Sequence, residues 1–344
     1  MQAIILKCAP LSQYHFGQVA VDADTSLNDT SDFIHSDTLF SALINLTDSI
    51  FPNEIDLVLS LMGKSNIEPK LRLSSAFYCL ELNGQILYFL PKPLNSQLTV
   101  AKEHKELKKI QFISKGVWEK GLKPDVWIAK GQGCKVIQKT FVVTDEEYTA
   151  FKLTDKARFY GKDALPKVAI HKLSKENSFY YQTNIQIGKL EDAEVHFYFL
   201  MNGWDSLNDN EKSIIDILLK MLPSVGIGGK QSTGCGNFIG MEKKTFSISS
   251  EKPTQFVTLS LTNPANKDEF ASFQQFDIVK RGGRRVGVAE PNTERLLKRI
   301  NMITEGSVIN KQVKGRIQDI SPDEKVLDGE KPYLRSGICF SLPY

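Results

Sequence analysis

The feature that most constrains the fold is a repeated order of elements: a β-type run, a polar stretch, an amphipathic helix, then further β-type runs. The first copy opens with QAIILKC (2–8), closed by Pro10. HSDTLFSALINLTDSIF then predicts a helix with Ser36 or Asp37 as N-cap and Leu39, Leu43, Leu46 and Ile50 on one apolar face. SSAFYCLELNGQILYFLPKP predicts a hairpin with Asn83-Gly84 at its tip. Residues 101–125 read as partly helical, and CKVIQKTFVVTD as one further strand. The second copy has a strand in AEVHFYFLM (193–201) and a capping-box pattern at Asn208 and Glu211. The helix that follows places Ile214, Ile217, Leu218 and Met221 on one face and is expected to end at Pro223. FVTLSLT (256–262) alternates apolar and polar residues, the pattern of a half-buried strand. Two such blocks predict an α+β chain of two ferredoxin-like (RNA-recognition-motif-like) domains with inserted hairpins and loops. No linker marks the boundary, which falls near residues 150–185.

A chain of 344 residues has room for two cores. Its five cysteines are odd in number, scattered and outside any C-x-x-C pair, which argues against a disulfide framework or zinc ribbon and for a reducing compartment. The N-terminal apolar run is too short for a signal segment, and no apolar stretch approaches the ~20 residues a membrane span needs. The expectation is a soluble cytoplasmic protein with no membrane partner. Net charge is only +3, but from Lys280 to Arg299 seven basic residues face Glu290 and Glu294. The more balanced KEHKELKK (102–109) reads as a solvated face.

GIGGKQSTGCGNF (226–238) places five glycines between Gly226 and Gly236. It fails the phosphate-loop pattern, because Gln231 follows Gly229-Lys230 and Ser224 stands where the first glycine belongs. It fails the dinucleotide fingerprint at Gln231, and it follows a helix where both motifs follow a strand. No nucleotide cofactor is expected. Two readings remain open from the residues: an anion-binding nest with Lys230, Ser232 and Thr233 as donors, or a tight connection with glycines at packing contacts.

The helix start HSDTLF offers unpaired amides and the positive end of a dipole, with Ser36 and Thr38 beside them. Asp37 would repel phosphate and is expected to cap the helix or pair with a basic neighbour. His15 and His35 are candidates for acid–base cleavage of RNA, against the plainer role of hydrogen bonding. No metal motif is present, and His104, His171 and His196 stand isolated in the sequence.

The glycine loop resembles that of the RAMP superfamily, the RNA-binding subunits of CRISPR effector complexes. YHFG with FIHSDTLFSALI, ELKKIQFISKGVWEKGL, KRGGRRVG, INMITEGSVI, GRIQDISP and the closing YLRSGICFSLPY, in that order, are similar to the fourth subunit of the type III-A (Csm) complex. The resemblance covers Tyr14 to Tyr344. It implies an RNA-recognition-motif-like domain over 1–155, a thumb-like hairpin over 156–182, and a second such domain with the glycine loop over 183–344. It also implies a non-catalytic subunit that grips the 5′ repeat-derived tag of guide RNA (crRNA) and joins the filament to the large polymerase-like subunit and the backbone RAMP subunit. The alternative is a metal-independent endoribonuclease of the same superfamily. Relatives often carry Ile-Asp-Arg before the thumb, where this chain has Ile170-His171-Lys172.

The RNA-contacting residues expected on this basis are His15, Gly17, His35, Ser36, Thr38, Lys167, His171, Lys172, Gly226, Gly228, Gly229, Lys230, Ser232, Thr233, Gly234, Arg281, Arg284 and Arg285. Phe159, Tyr160, Phe179, Tyr180 and Tyr181 flank the thumb, and one or two of them are expected to stack on splayed bases while the rest pack in the hairpin core.

Overall fold

The computed structural model describes residues 1–17, 29–64, 67–96, 104–129, 131–170, 177–249, 254–283, 297–322 and 331–344. The chain opens with β1 (Gln2–Lys7), β2 (Gln13–Tyr14), α1 (Ser36–Ile50) and α2 (Ile55–Leu61). Next come β3 (Arg72–Leu73), β4 (Phe77–Leu82), β5 (Gln85–Pro91), α3 (His104–Lys109) and β6 (Phe112–Ser114). Helices α4 (Lys115–Glu119) and α5 (Pro124–Ile128) precede β7 (Cys134–Ile137), β8 (Phe141–Thr144) and α6 (Asp145–Ala150). The long hairpin β9 (Tyr160–Ile170) and β10 (Asn177–Ile187) leads to β11 (Glu194–Asn202), α7 (Asp209–Val225) and β12 (Gly240–Thr245). The remainder is β13 (Phe256–Thr258), α8 (Lys267–Phe270), β14 (Phe273–Gln275), β15 (Ile278–Arg281), β16 (Ile300–Ile303), β17 (Val308–Ile309), β18 (Gly315–Asp319), β19 (Leu334–Ile338) and β20 (Ser341–Pro343).

The large sheet has the order β12-β1-β11-β4-β5-β6-β8-β7, with β3 beside β11. Within it β1, α1, β4, β11, α7 and β12 make one βαββαβ ferredoxin-like unit, its four strands adjacent and antiparallel. This pairing departs from the expected division of the chain. Ala3 pairs with Leu200 on one side and Lys244 on the other, so the unit draws on both sides of the 155 and 183 boundaries. The glycine loop belongs to this first unit, between α7 and β12. The segment between β4 and β11 is an insertion that extends the same sheet and carries the long hairpin.

Local chemistry explains the elements. Asn83 and Gly84 both take left-handed φ, 51° and 78°, the turn that joins two strands tightly. The Asn208–Glu211 capping box forms in full, at 2.9 Å in both directions. Helix α7 runs two residues past Pro223 before Gly226 stops it, since a proline in the last turn forfeits only one helical hydrogen bond. Its buried face is Ile214, Ile215, Leu218, Leu219 and Leu222, which leaves Ile217 and Met221 exposed where the sequence pattern had them inside. Leu39, Phe40, Leu43 and Leu46 of α1 join the same core, each side chain worth about 1.5–3 kcal/mol in removed apolar surface. CKVIQKTFVVTD is a hairpin where one strand was expected, its turn made by left-handed Gln138 and Lys139.

The C-terminal region has a four-stranded antiparallel sheet, β14-β17-β13-β20, and two separate hairpins, β15-β16 and β18-β19. Among its described residues α8 is the one α-helix, so the strand–helix order of the first unit is not repeated there in full. The stretch expected as a half-buried strand is buried from Val257 to Thr262 on both faces. It is covered because Ser75 N donates to Leu259 O (2.7 Å) and Leu261 N to Ser36 Oγ (3.0 Å), tying it onto the first unit. No helix among the described residues is long and apolar enough to cross a membrane.

Candidate nucleic-acid interface

The glycine loop lies against Gln13–Gly17. Gly229 N donates to His15 O (2.9 Å), Gly236 N to Gln13 O (2.9 Å), and Tyr14 Oη to Asn237 O (2.9 Å). Gly228 has φ 100°, and a Cβ there would stand 2.5 Å from His15 O. That contact and the left-handed backbone both demand glycine. At this end of the loop the tight-connection reading holds. The other end differs: Lys230, itself left-handed at φ 61°, starts a short 3-10 turn over Gln231–Thr233. Gln231, Ser232, Thr233 and Gly234 are exposed, and Thr233 Oγ1 donates to Lys230 O (2.9 Å), fixing the turn.

The long hairpin reaches the same place. Its strand β10 pairs with β2, Ile185 opposite Tyr14 and Gln186 opposite Gln13. Burial pushes the thiol of Cys235 up, while Thr233 and the charges of Lys167 and Lys230 oppose that shift. The hairpin that bears Lys167 and the loop that bears Lys230 are thus both seated on the Gln13–His15 segment. Phe159 and Tyr160 are core residues. Phe179 and Tyr181 are exposed, 60% and 48%, and meet edge to face at 5.2 Å. Tyr180 lies opposite Lys167.

The helix start is built otherwise. His35 occupies the N-cap position and no side chain caps the helix, so neither Ser36 nor Asp37 does so as expected. Ser36 is buried, its N–H given to Ser75 Oγ (2.8 Å) and its Oγ accepting from Leu261 N. Asp37 is fully buried. Arg281 holds it through Nε and Nη2, both at 2.9 Å, and Arg335 Nη1 bonds the same carboxylate. Burial would raise the Asp37 carboxyl, yet the Arg281 and Arg335 guanidiniums hold it far below the usual carboxylate range. Arg281 is therefore spent inside the protein, where the sequence reading had it free to clamp phosphate. It also donates to Thr38 Oγ1 (3.2 Å).

Among the described residues the two histidine rings bond different partners. His15 Nδ1 bonds Thr183 O (2.8 Å). His35 Nδ1 bonds Glu305 Oε1 (2.8 Å) and its Nε2 bonds Ser31 Oγ (3.1 Å), while Ser75 Oγ bonds the same Glu305 oxygen. Thr183, Glu305 and Arg335 are site neighbours that no local pattern singled out. His171, Lys172, Arg284 and Arg285 lie outside the described residues.

His196 is less isolated than its sequence context suggests, for its Nε2 lies 3.3 Å from Glu194 and 3.5 Å from Glu81. Its Nδ1 accepts from Cys8 N (3.0 Å), so in the neutral ring Nε2 carries the hydrogen and cannot ligate a cation. Lys7 already pairs with Glu81. Burial, with Lys7 adding to it, lowers the His196 pKa and keeps the ring neutral.

Comparison with known proteins fits this architecture. Residues 251–344 match the family model of the CRISPR Csm4 C-terminal domain. The CRISPR system protein Csm4 of Methanocaldococcus jannaschii is 26% identical over 94% of this chain and 89% of its own length. Among solved structures, a chain of the Csm3–Csm4 subcomplex of a type III-A CRISPR-Cas interference complex superposes with TM-score 0.69 at 21% identity, covering 100% of this chain and 99% of that one. A chain of a Csm1–Csm4 cassette in complex with cA4 does so with TM-score 0.55 at 16% identity, covering 100% and 98%. These two likenesses show the shared fold. With a glycine loop in a ferredoxin-like unit, a C-terminal region that matches the Csm4 C-terminal domain and a near full-length relative, this chain is similar to the CRISPR Csm4 proteins.

Proposed function

We propose that this chain is a guide-RNA-binding subunit of a type III-A CRISPR interference complex, with no catalytic activity of its own, acting in antiviral defence. It grips the 5′ repeat-derived tag and links the filament to the large subunit. The observation that carries the reading is that the exposed turn after Lys230 in the glycine loop and the hairpin that bears Lys167 are both seated on the Gln13–His15 segment. Two cations on separate elements, with exposed hydroxyls at Ser232 and Thr233, suit a phosphate backbone. On the other face of the hairpin from Lys167, Phe179 and Tyr181 offer exposed rings to unpaired bases. The relatives solved as Csm3–Csm4 and Csm1–Csm4 assemblies support a backbone subunit of the Csm3 kind and a large subunit of the Csm1 kind as partners here. The endoribonuclease alternative loses support because His35 already bonds partners through both ring nitrogens and the His15 ring bonds a different one.

A filter-binding titration with guide RNA tests this. Tight, salt-dependent binding with a preference for tagged over untagged guide is expected. Equal affinity for the two would remove tag recognition. Cleavage of repeat RNA in EDTA, lost in His35→Ala, would overturn the non-catalytic reading.

A further inference from the structure

We infer that His15 is a positioning residue, the pin that holds the glycine loop and the long hairpin in one register, and that it is not itself a phosphate ligand. This rests on the RNA-binding reading above. His15 grips two elements through two different groups. Its backbone O accepts from Gly229 N (2.9 Å), which seats the glycine loop. Its ring Nδ1 bonds Thr183 O (2.8 Å), which seats strand β10 of the hairpin. A carbonyl oxygen only accepts, so Nδ1 carries the hydrogen and the neutral ring presents Nε2 as an acceptor. An acceptor has the wrong polarity for a phosphate oxygen. The residue is 3% exposed, and the loop packs onto it closely enough that a Cβ at Gly229 would lie 3.1 Å from its Cδ2. Lys230 follows Gly229 directly, and Lys167 sits on the strand paired with β10. The spacing between the two cations therefore depends on the His15 pin.

Two near-isosteres separate positioning from contact. His15→Asn places an N–H donor where Nδ1 stands and removes Nε2 and the titratable ring. His15→Gln places its donor near Nε2 and removes the bond to Thr183 O. Two readouts apply to the full chain: native-state hydrogen exchange of the Gly229 and Gly236 amides without RNA, and guide affinity by filter binding. The expected order is His15→Asn close to the parent in both. His15→Gln should exchange faster at the loop and bind about tenfold more weakly, the worth of one buried hydrogen bond. Equal loop protection in the parent and both variants would overturn the inference. So would a His15→Asn protein with a protected loop but lost affinity, which would make the ring a direct ligand. If His15→Gln does not fold, His15→Ala takes its place, with faster loop exchange expected and parent-like loop protection overturning the inference. The exchange measurement uses no RNA, so a parent that fails to bind guide would sink the proposed function and leave the positioning test standing.

Discussion

Two places in the sequence advertise an anion site: the start of α1 at Ser36–Thr38 and the glycine loop at 226–236. The structure treats them in opposite ways. At the helix start every strong group is consumed internally: Ser36 by Ser75 and Leu261, Asp37 by Arg281 and Arg335, His35 by Glu305 and Ser31. In the glycine loop only the glycine-rich flanks are consumed, against Gln13 and His15, and the Lys230–Gly234 turn between them stays exposed. The same vocabulary of small polar residues thus builds a joint in one place and an exposed turn in the other. What separates them is whether another part of the chain arrives to use the donors.

The sharpest way to break that contrast is Asp37→Ala. It leaves two guanidiniums in a buried site without their carboxylate, a loss of about 3–5 kcal/mol, read as a large fall in chemical or thermal stability. The acid side follows from the depressed carboxyl. The stability Asp37 contributes is complete above the unfolded Asp value of about 3.9 and fades as pH drops below it towards the folded value. In Asp37→Asn that share of the acid-side loss should vanish from a pH series of denaturation curves.

Gly228→Ala comes next. It forces a side chain into a left-handed backbone with His15 O 2.5 Å away, for about 1–3 kcal/mol of local strain. Faster exchange confined to the loop is the expected signature, and global unfolding would make the loop as structural as the helix start. The double reversal Lys167→Glu, Lys230→Glu should leave the melting curve in place. It should cut guide affinity at least tenfold and flatten its salt dependence, since about two phosphate contacts are lost. Unchanged affinity would reduce the loop to a second joint. The smallest effect is Phe179→Ala, which should cost about 1–3 kcal/mol of single-strand binding if the ring stacks on a base, and nothing in stability at 60% exposure.

The elements that local pattern encodes were legible in advance: α1, the capped α7, the Asn83-Gly84 hairpin and the strands at 2–8 and 193–201. Misreadings arose where partners are distant or turns are unconventional. Gln138 and Lys139 form a left-handed turn without glycine or asparagine, so the β7–β8 hairpin read as one strand. Ile217 and Met221 fit a helical stripe as well as Leu219 and Leu222 do, and only packing against the sheet chooses between them. Arg281 sits in a basic run, and charge density cannot say which arginine turns inward to a carboxylate 244 positions earlier. The glycine loop was recognisable, but its seat on Gln13–Gly17 was not, because strand pairing between remote segments leaves no local trace. The domain boundary failed for the same reason.

That remote pairing also sets a timetable for synthesis. Strand β1 lies between β11 and β12, with Ala3 facing Leu200 and Lys244. A chain emerging from the ribosome therefore presents Ala3, Ile4, Ile5 and Leu6, all fully buried in the end, as an apolar strand with two open edges until β11 has been made and one until residue 245. The insertion that lends the protein its projecting hairpin is synthesised within this interval and lengthens it. Strand β1, made well before both of its partners, is among the last to find its place.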